Sequence, residues 1–196
     1  MKKYIHLLVL ALIISGMALT IPFFDSCEEL YSDVLRIHIL ANSDSAADQS
    51  LKLAVRDRVL GECSRCYEGC SGKDEALDIT RSHIGEIEAA AIREIRDRGF
   101  DYPVRAEIVS DFFDTRYYER FTLPAGRYDA LRLTIGDGGG KNWWCVMYPS
   151  LCVGAASADE MKDELDRGEY RVVTSDRFDF RFKLVEYFED VRGWFR

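Results

Sequence analysis

The residues of this chain whose types could support catalysis are two histidines outside the N-terminal segment and a glycine-rich run. The run Gly136–Lys141 resembles a phosphate-binding loop, but Ile135 occupies the position of the first glycine and Asn142 that of the hydroxyl residue. Neither a G-x-S-x-G elbow nor an H-E-x-x-H helix motif occurs. His38 falls in a strand-like segment and His83 in a helix-like one, where histidines are usually structural. The sequence therefore predicts a protein that is not an enzyme.

Two cysteines, Cys145 and Cys152, are spaced to form a disulfide. They flank residues 146–151, which include Pro149, and a turn there would bring their Cα atoms to the roughly 4.4–6.8 Å that the bond requires. Such a bond persists in an oxidising compartment outside the cytoplasm. We therefore predict a Cys145–Cys152 disulfide.

The remaining cysteines are Cys27, Cys63, Cys66 and Cys70, and their pairing is left open by the sequence. Cys63, Cys66 and Cys70 are three and four residues apart, which would place their sulfurs on one side of a helix. Three thiolates can hold a metal, but C-x-x-C-x-x-x-C without a histidine at finger-like spacing matches no zinc pattern. We expect a local disulfide or buried thiols, with no metal and no cofactor. A redox pair at Cys63 and Cys66 is the alternative, although the strand-to-helix context of such pairs is absent.

The N-terminal segment is typical of an export signal. Lys2 and Lys3 precede an uncharged stretch, Leu7–Phe24, and the small residues Gly16 and Ala18 would allow cleavage after Ala18. The same stretch is also about long enough to cross a bilayer as an anchor. We interpret residues 1–24 as a signal peptide or membrane anchor, which allows membrane association through this segment.

The overall composition describes a folded, acidic protein. Of its 196 residues, 47% are hydrophobic and 31% charged, which suits one globular domain with appendages. The chain has 34 acidic and 26 basic residues and a net charge of −8, whereas nucleic-acid binders need a concentrated positive field. We expect no nucleic-acid partner.

The first structural elements predicted from the residue pattern are one strand and two helices. The strand covers Val34–Leu40, where apolar residues alternate on one face. A helix follows over Ala46–Leu60, with Ser45 as its N-cap. After an interruption at Cys63–Lys73, apolar residues from 77 to 95 predict a long helix that ends at Gly99.

Beyond Gly99 the period of the pattern changes to that of strands. Alternating or continuous apolar runs cover Val104–Ile108, Tyr128–Ile135 and Asn142–Tyr148. A strand, two helices and then a small, mostly antiparallel sheet define an α+β fold. Residues 154–175 are polar and acidic and are expected to form a linker. Residues 176–196 form an amphipathic tail that we expect to dock on the domain or on a partner.

Three sequence blocks resemble the stage II sporulation protein R family. They lie in the family's order between Leu35 and Val153, and together they are more specific than any one of them. The blocks are Arg36–Ser45 with Asp48-Gln49 and Leu51–Asp57; Leu123–Leu131; and Ile135-Gly136 through Asn142–Val146 to Pro149 and Leu151-Cys152. The cysteine insert at 63–70 and the tail depart from this resemblance. The resemblance assigns residues 31–153 to a sporulation signalling domain.

This resemblance implies a messenger of endospore formation. Members are made in the forespore and exported into the intermembrane space of the septum. There they activate a membrane-embedded aspartic protease of the mother cell, which processes the precursor of the early mother-cell sigma factor. An exported thiol-disulfide or cell-wall enzyme is the alternative function. Alkylation of thiols before and after reduction would separate the redox alternative from a signalling domain.

The candidate partner-binding residues lie at the turn from the first strand into the first helix. Apolar residues already satisfy the core there, so the polar side chains exceed what packing requires. Turn formation and helix capping are the competing explanation for two of them. The candidates are His38, Asn42, Asp44 and Arg56, followed by the aromatic strand residues Asn142, Trp143 and Trp144.

Overall fold

The computed structural model of the chain describes residues 2–67, 69–118, 121–149, 165–175 and 180–194. They divide into two compact units, and each is described by itself. The sheet unit comprises Ser32–Asp111 and Arg127–Glu164, and the terminal unit comprises Met1–Tyr31, Phe112–Gly126 and Leu165–Arg196. The helices are α1 (Lys2–Asp33), α2 (Ala46–Cys66), α3 (Lys73–Ser82), α4 (Ile84–Asp97), α5 (Arg167–Val173) and α6 (Phe180–Trp194). The strands are β1 (Leu35–Leu40), β2 (Val104–Phe113), β3 (Arg116–Tyr117), β4 (Thr122–Leu123), β5 (Gly126–Ile135) and β6 (Asn142–Tyr148).

A four-stranded sheet in the order β2-β5-β1-β6 forms the centre of the sheet unit. β1 pairs with β6 in antiparallel orientation and with β5 in parallel orientation. The parallel pair requires a crossover, and the helices between β1 and β5 supply it. The C-terminal ends of β1 and β5 therefore lie at the same end of the sheet. The α+β fold expected from the sequence is confirmed, and the parallel pair is a feature that the pattern did not predict.

One face of the sheet is apolar and packs under helices. Leu35, Ile37 and Ile39 alternate along β1 and are fully buried, as are Leu131 and Leu133 at the paired positions of β5. Both α2 and α3 contact β1, and α4 packs on α2. The helical residues that complete this core are Leu51, Val55, Val59, Ile87, Ala91 and Ile95. The other face of β1 carries Arg36 and His38, which are also buried, so the strand alternates apolar and polar residues although both of its faces are covered.

The helix boundaries differ from those expected at two places. α2 continues beyond Leu60 to Cys66, because buried Cys63 extends the apolar stripe by another turn. The long helix expected over 77–95 is instead two helices that meet at His83. Side chains compete there for the carbonyl of Ile79, which accepts from Ser82 Oγ at 2.8 Å and lies 2.8 Å from His83 Nδ1. Such local bonds favour the end of a helix over its continuation.

The terminal unit holds α1, the short β3–β4 pair, α5 and α6. α1 is long and apolar enough to cross a membrane, a property that signal sequences near the N-terminus share. The first half of the expected acidic linker, residues 154–164, lies outside the described residues. The second half, residues 165–175, contains α5, which begins with a capping box in which Asp166 and Glu169 exchange hydrogen bonds.

Candidate functional site

Two loops meet at the end of the sheet where β1 and β5 terminate. The first is the turn 41–45 between β1 and α2, and the second is the glycine-rich loop 136–141 between β5 and β6. The backbone N–H groups of Gly139 and Gly140 donate to the carbonyls of Asn42 and Ala41 at 3.2 and 2.9 Å. We call this pair of loops the interlock.

Polar side chains of the first turn converge on the carboxylate of Asp48 in α2. Its Oδ2 accepts hydrogen bonds from Ser43 Oγ at 2.5 Å and from Asn42 Nδ2 at 2.9 Å. These bonds hold the pKa of the Asp48 carboxyl below its usual range, because they favour the ionised form. The Asp48 N–H donates to Ser45 Oγ at 3.1 Å, so the predicted N-cap is confirmed.

The same turn also binds the glycine-rich loop through side chains. Asn42 Oδ1 accepts from the Asp137 N–H at 3.1 Å, and Asp44 Oδ1 accepts from the Lys141 N–H at 2.7 Å. Lys52, which is buried in α2, donates from Nζ to the Lys141 carbonyl at 2.7 Å. Burial lowers the pKa of Lys52. Asn42 and Asp44 thus each bond to the opposite loop of the interlock, and the Asp44 side chain is also exposed.

Gly140 is required by the close approach of the two loops. A Cβ at this position would overlap the carbonyl oxygen of Ser43, whereas one at Gly139 would meet the nearest atom, the Asn42 carbonyl oxygen, at 3.4 Å. Gly136 and Gly138 have φ of +58° and +64°, which glycine adopts without strain. The glycine run therefore has a packing function in place of the phosphate binding excluded above.

His38 lies on the sheet face opposite the helices and is almost fully buried. Its Nδ1 is 3.1 Å from Asp111 Oδ2, and its Nε2 is 3.0 Å from Asn142 Oδ1. The ring also stacks on Trp144, with centroids 3.5 Å apart. Arg132 Nη1 lies 3.5 Å from the same Asp111 oxygen. Both ring nitrogens are engaged inside the protein, so His38 orders the start of β6.

Arg56 and Trp143 meet on the helix-covered side of the sheet. The guanidinium carbon of Arg56 lies 4.5 Å from the centroid of the Trp143 ring, within the range of a cation–π contact. Arg56 also pairs with Asp57 at 2.7 Å. Both Arg56 and Trp143 are half-buried, and the neighbouring Lys141 and Asn142 are exposed. We call these four residues, Arg56, Lys141, Asn142 and Trp143, the rim.

The structure places the seven candidate residues at one end of the sheet but on two faces. His38, Asn142 and Trp144 share one face, and Arg56 and Trp143 share the other. Asn42 and Asp44 lie in the interlock that joins β1 to the loop before β6. Sequence reasoning missed Lys52 and Asp111. A lysine beside Leu51 on the buried stripe of α2 was a usable signal for Lys52, whereas Asp111 carries no local signal.

The described cysteines lie on different elements: Cys145 in β6, Cys27 in α1, Cys63 and Cys66 in α2, and Cys70 between α2 and α3. Cys145 is buried in β6 and is not among the free cysteines of the described chain. Cys152 lies outside the described residues, so the Cys145–Cys152 disulfide stays a prediction. The free cysteines are Cys27, Cys63, Cys66 and Cys70. In the described part of the chain, no group of three or more potential ligands could hold a metal.

Cys63 and Cys66 line a cavity of about 320 Å³ between α2, α3 and α4. Tyr67, Thr80 and His83 also line it, and the Tyr67 hydroxyl and Thr80 Oγ1 lie 2.6 Å apart. Burial raises the pKa of the Cys63 thiol to about 12. A thiol held in its protonated form is a poor nucleophile, so Cys63 does not suit the attacking role of a redox C-x-x-C pair.

The comparisons with known proteins agree with the sequence blocks. Residues 31–158 match the model of stage II sporulation protein R. The chain is 35% identical over 134 residues to the "Stage II sporulation protein R" of Bacillus subtilis (strain 168). This match covers 68% of the chain and 60% of that protein, so the chain spans less than two thirds of this relative's length. No solved structure matches the chain.

Proposed function

The chain belongs to the stage II sporulation protein R family. From this premise we propose that it is exported from the forespore and activates a protease of the mother cell. In this proposal the forespore makes the protein and exports it into the septal intermembrane space. It then activates the membrane-embedded aspartic protease of the mother cell that processes the precursor of the early mother-cell sigma factor. A role in sporulation itself follows from the family.

The observation that carries the proposal is the extent of the family match. It covers residues 31–158, which include both loops of the interlock and the four rim residues. The apolar helix α1 supports export, because a signal sequence and a membrane anchor both have its length and composition. A Cys145–Cys152 disulfide would suit the same oxidising compartment.

An activator of this kind works by binding one state of its target more tightly than the other. To move a protease from about 1% active to 99% active, the activator must prefer the active state by about 10⁴-fold. Such a preference requires a surface of fixed shape. The interlock provides rigidity here, since it joins the turn after β1 to the loop before β6 through side-chain and backbone hydrogen bonds.

We assign the protease contact to the rim, which shares Lys141 with the interlock, and not to the other interlock residues. Asn42 Oδ1 and Asp44 Oδ1 accept from backbone N–H groups of the glycine-rich loop, and His38 is buried. The rim combines an exposed lysine and asparagine with a half-buried arginine that stacks on tryptophan. Arginine and tryptophan are the residue types that most often dominate binding energy in protein interfaces.

Reconstitution in non-sporulating cells tests the proposal. The full chain is co-expressed with the cognate protease and the sigma-factor precursor, and precursor cleavage is followed by immunoblot. We expect cleavage only when all three proteins are present. Equal cleavage without this chain would contradict the activator function while leaving the family assignment unchanged.

A further inference from the structure

Helix α6 has two apolar faces, of which only one is covered. Phe182 and Val185 are buried on the first face. Phe180, Leu184 and Tyr187 follow one another at i, i+4 and i+7 on the second face, and their exposed fractions are 64%, 41% and 71%. Large apolar side chains in a continuous stripe are a costly surface to leave in water.

The covered face of α6 holds the helix against α1. The Phe182 ring packs edge-on against Phe23 with centroids 5.4 Å apart. At the edge of this face, Phe188 packs likewise on Phe24 at 5.5 Å, although it is 50% exposed. Arg192 Nη1 pairs with Glu28 at 3.0 Å. The tail therefore docks on a segment of its own unit, in agreement with the amphipathic pattern of residues 176–196.

The docking position on α1 is the end of its uncharged stretch. Phe23 and Phe24 are the last residues before Asp25, and upstream apolar side chains such as Leu7 and Leu8 are more than 60% exposed. In a bilayer, this stretch would occupy the hydrocarbon region, and Phe23 and Phe24 would lie at its boundary. In that arrangement, the contacts with Phe23 and Phe24 would hold α6 at the depth of the membrane interface.

The charges of α6 indicate what kind of surface it can meet. The helix has three basic and three acidic residues, which gives it a net charge of zero. Lys183 pairs with Glu186, and Arg192 pairs with Glu189 as well as Glu28. Attraction to anionic lipids would need an excess of basic residues, so the apolar area is the driving force.

We propose that α6 lies on the membrane surface, with Phe180, Leu184 and Tyr187 inserted at the boundary between lipid headgroups and acyl chains. The bilayer is the occupant of the exposed stripe because α6 contacts α1 at Phe23 and Phe24, the end of a stretch that is long and apolar enough to cross it. The proposal applies to the chain that retains α1, because cleavage after Ala18 would remove most of the stretch that can cross a bilayer. This inference does not depend on the proposed function.

Depth-dependent fluorescence quenching tests the proposal on the full chain. A fluorescent amino acid replaces Tyr187, and the protein is reconstituted in phosphatidylcholine vesicles and isolated by flotation. We expect emission to fall by roughly half or more when the acyl chains are brominated, as for a group inserted at the acyl boundary. The same decrease should persist at high salt and without anionic lipid, because α6 carries no net charge.

A matched control is available on the same helix. Gly193 is exposed on the opposite side of α6, and a side chain added there meets no heavy atom within 4 Å. A label at Gly193 should keep its emission in brominated vesicles, and a second label at Leu184 should be quenched like the one at Tyr187. Emission at positions 184 and 187 that is unchanged by bromination would overturn the proposal. The proposal would also be overturned if the emission of these labels changed only when the protease or more of this chain was added, since the stripe would then bind protein and not lipid.

Discussion

At the scale of single residues, the interlock joins two loops of the fold, and the rim is the surface to which we assign the protease contact in our proposal. Asn42 and Asp44 are turn residues in sequence, and the structure gives each a bond to the loop before β6. Loss of either bond should lower the free energy of unfolding by about 0.5–1.5 kcal/mol, the net contribution of one intramolecular hydrogen bond, because water can reach the exposed N–H that is left. The rim residue Arg56 touches the Trp143 ring and Asp57 at the surface.

Replacement of Arg56 separates binding from folding. We expect Arg56→Ala to reduce precursor cleavage at least about tenfold, the effect of removing an interface residue worth roughly 1.4 kcal/mol or more. The thermal midpoint should stay within about 4 °C of the parent. Arg58→Ala is the matched control, since Arg58 lies on the same helix and pairs with Glu62 away from Trp143. Equal cleavage by both variants would move the contact surface elsewhere.

The ionised state of Asp48 should make stability depend on pH in the acid range. Hydrogen bonds from Ser43 and Asn42 lower its pKa in the folded state, so its contribution is complete above the unfolded pKa of about 3.9. That contribution is lost as the pH falls from there through the folded pKa. We expect the urea midpoint of the parent to decline as the pH falls from about 5 to about 2, a range that brackets the unfolded pKa. The midpoint of Asp48→Asn should decline less over the same range.

The control for this pH series is Asp101→Asn, which alters an exposed carboxylate at the start of the loop before β2. It should reproduce the decline of the parent. If Asp48→Asn and Asp101→Asn give the same curve as the parent, the hydrogen bonds to Asp48 do not favour its ionised form.

At the scale of elements, the sheet end depends on how closely two loops approach each other. The N–H groups of Gly139 and Gly140 bond to consecutive residues of the first turn. The parallel β1–β5 pair makes this possible, because the C-terminal ends of both strands lie at the same end of the sheet. The interlock therefore depends on the order and direction of the strands as well as on the residues of its two loops.

The two neighbouring glycines should respond differently to the same substitution. Gly140→Ala places a methyl group on the Ser43 carbonyl oxygen and should cost about 1–3 kcal/mol, as overpacking does. Gly139→Ala meets ordinary contact at 3.4 Å and should stay within about 0.5 kcal/mol of the parent. Urea denaturation measures both. A larger loss in Gly139→Ala would mean that the loops pack differently.

At the scale of the whole molecule, the cysteines report which parts are covalently joined. Cys27, Cys63, Cys66 and Cys70 are free, so alkylation of the unfolded, unreduced protein should modify these four. Reduction should expose Cys145 and Cys152 as well. Intact mass and peptide mapping measure both states. Modification of Cys145 and Cys152 without reduction would exclude the predicted disulfide.

Alkylation of the folded protein should follow burial. Cys66 and Cys70 are half-buried, whereas Cys63 is 4% exposed. Because burial raises the pKa of the Cys63 thiol to about 12, only a small fraction of molecules carries the Cys63 thiolate near neutral pH. We expect Cys63 to react after Cys66 and Cys70 in a time course at about pH 8, half a unit below an ordinary thiol pKa. Earlier reaction of Cys63 would show that the cavity beside it opens readily.

Local patterns determined much of this protein. Alternation over Val34–Leu40 specified β1, Ser45 specified the start of α2, and Gly99 follows the end of α4 with a φ of +81°. The sequence blocks also identified the family, because they combine many residues in a fixed order. The strand, capping and helix-end signals each depend on neighbours within a few residues, and the family blocks depend on linear order. Neither kind of signal needs tertiary information.

Only the tertiary structure decided how the candidate residues are used. Asn42 meets Asp137 across 95 positions and His38 meets Asp111 across 73, and neither pairing has a local signature. The parallel pairing of β1 with β5 and the division of the candidates between two faces follow from strand order and register. Such long-range contacts depend on which surfaces are buried together, and the periodicity of one segment cannot specify its partner.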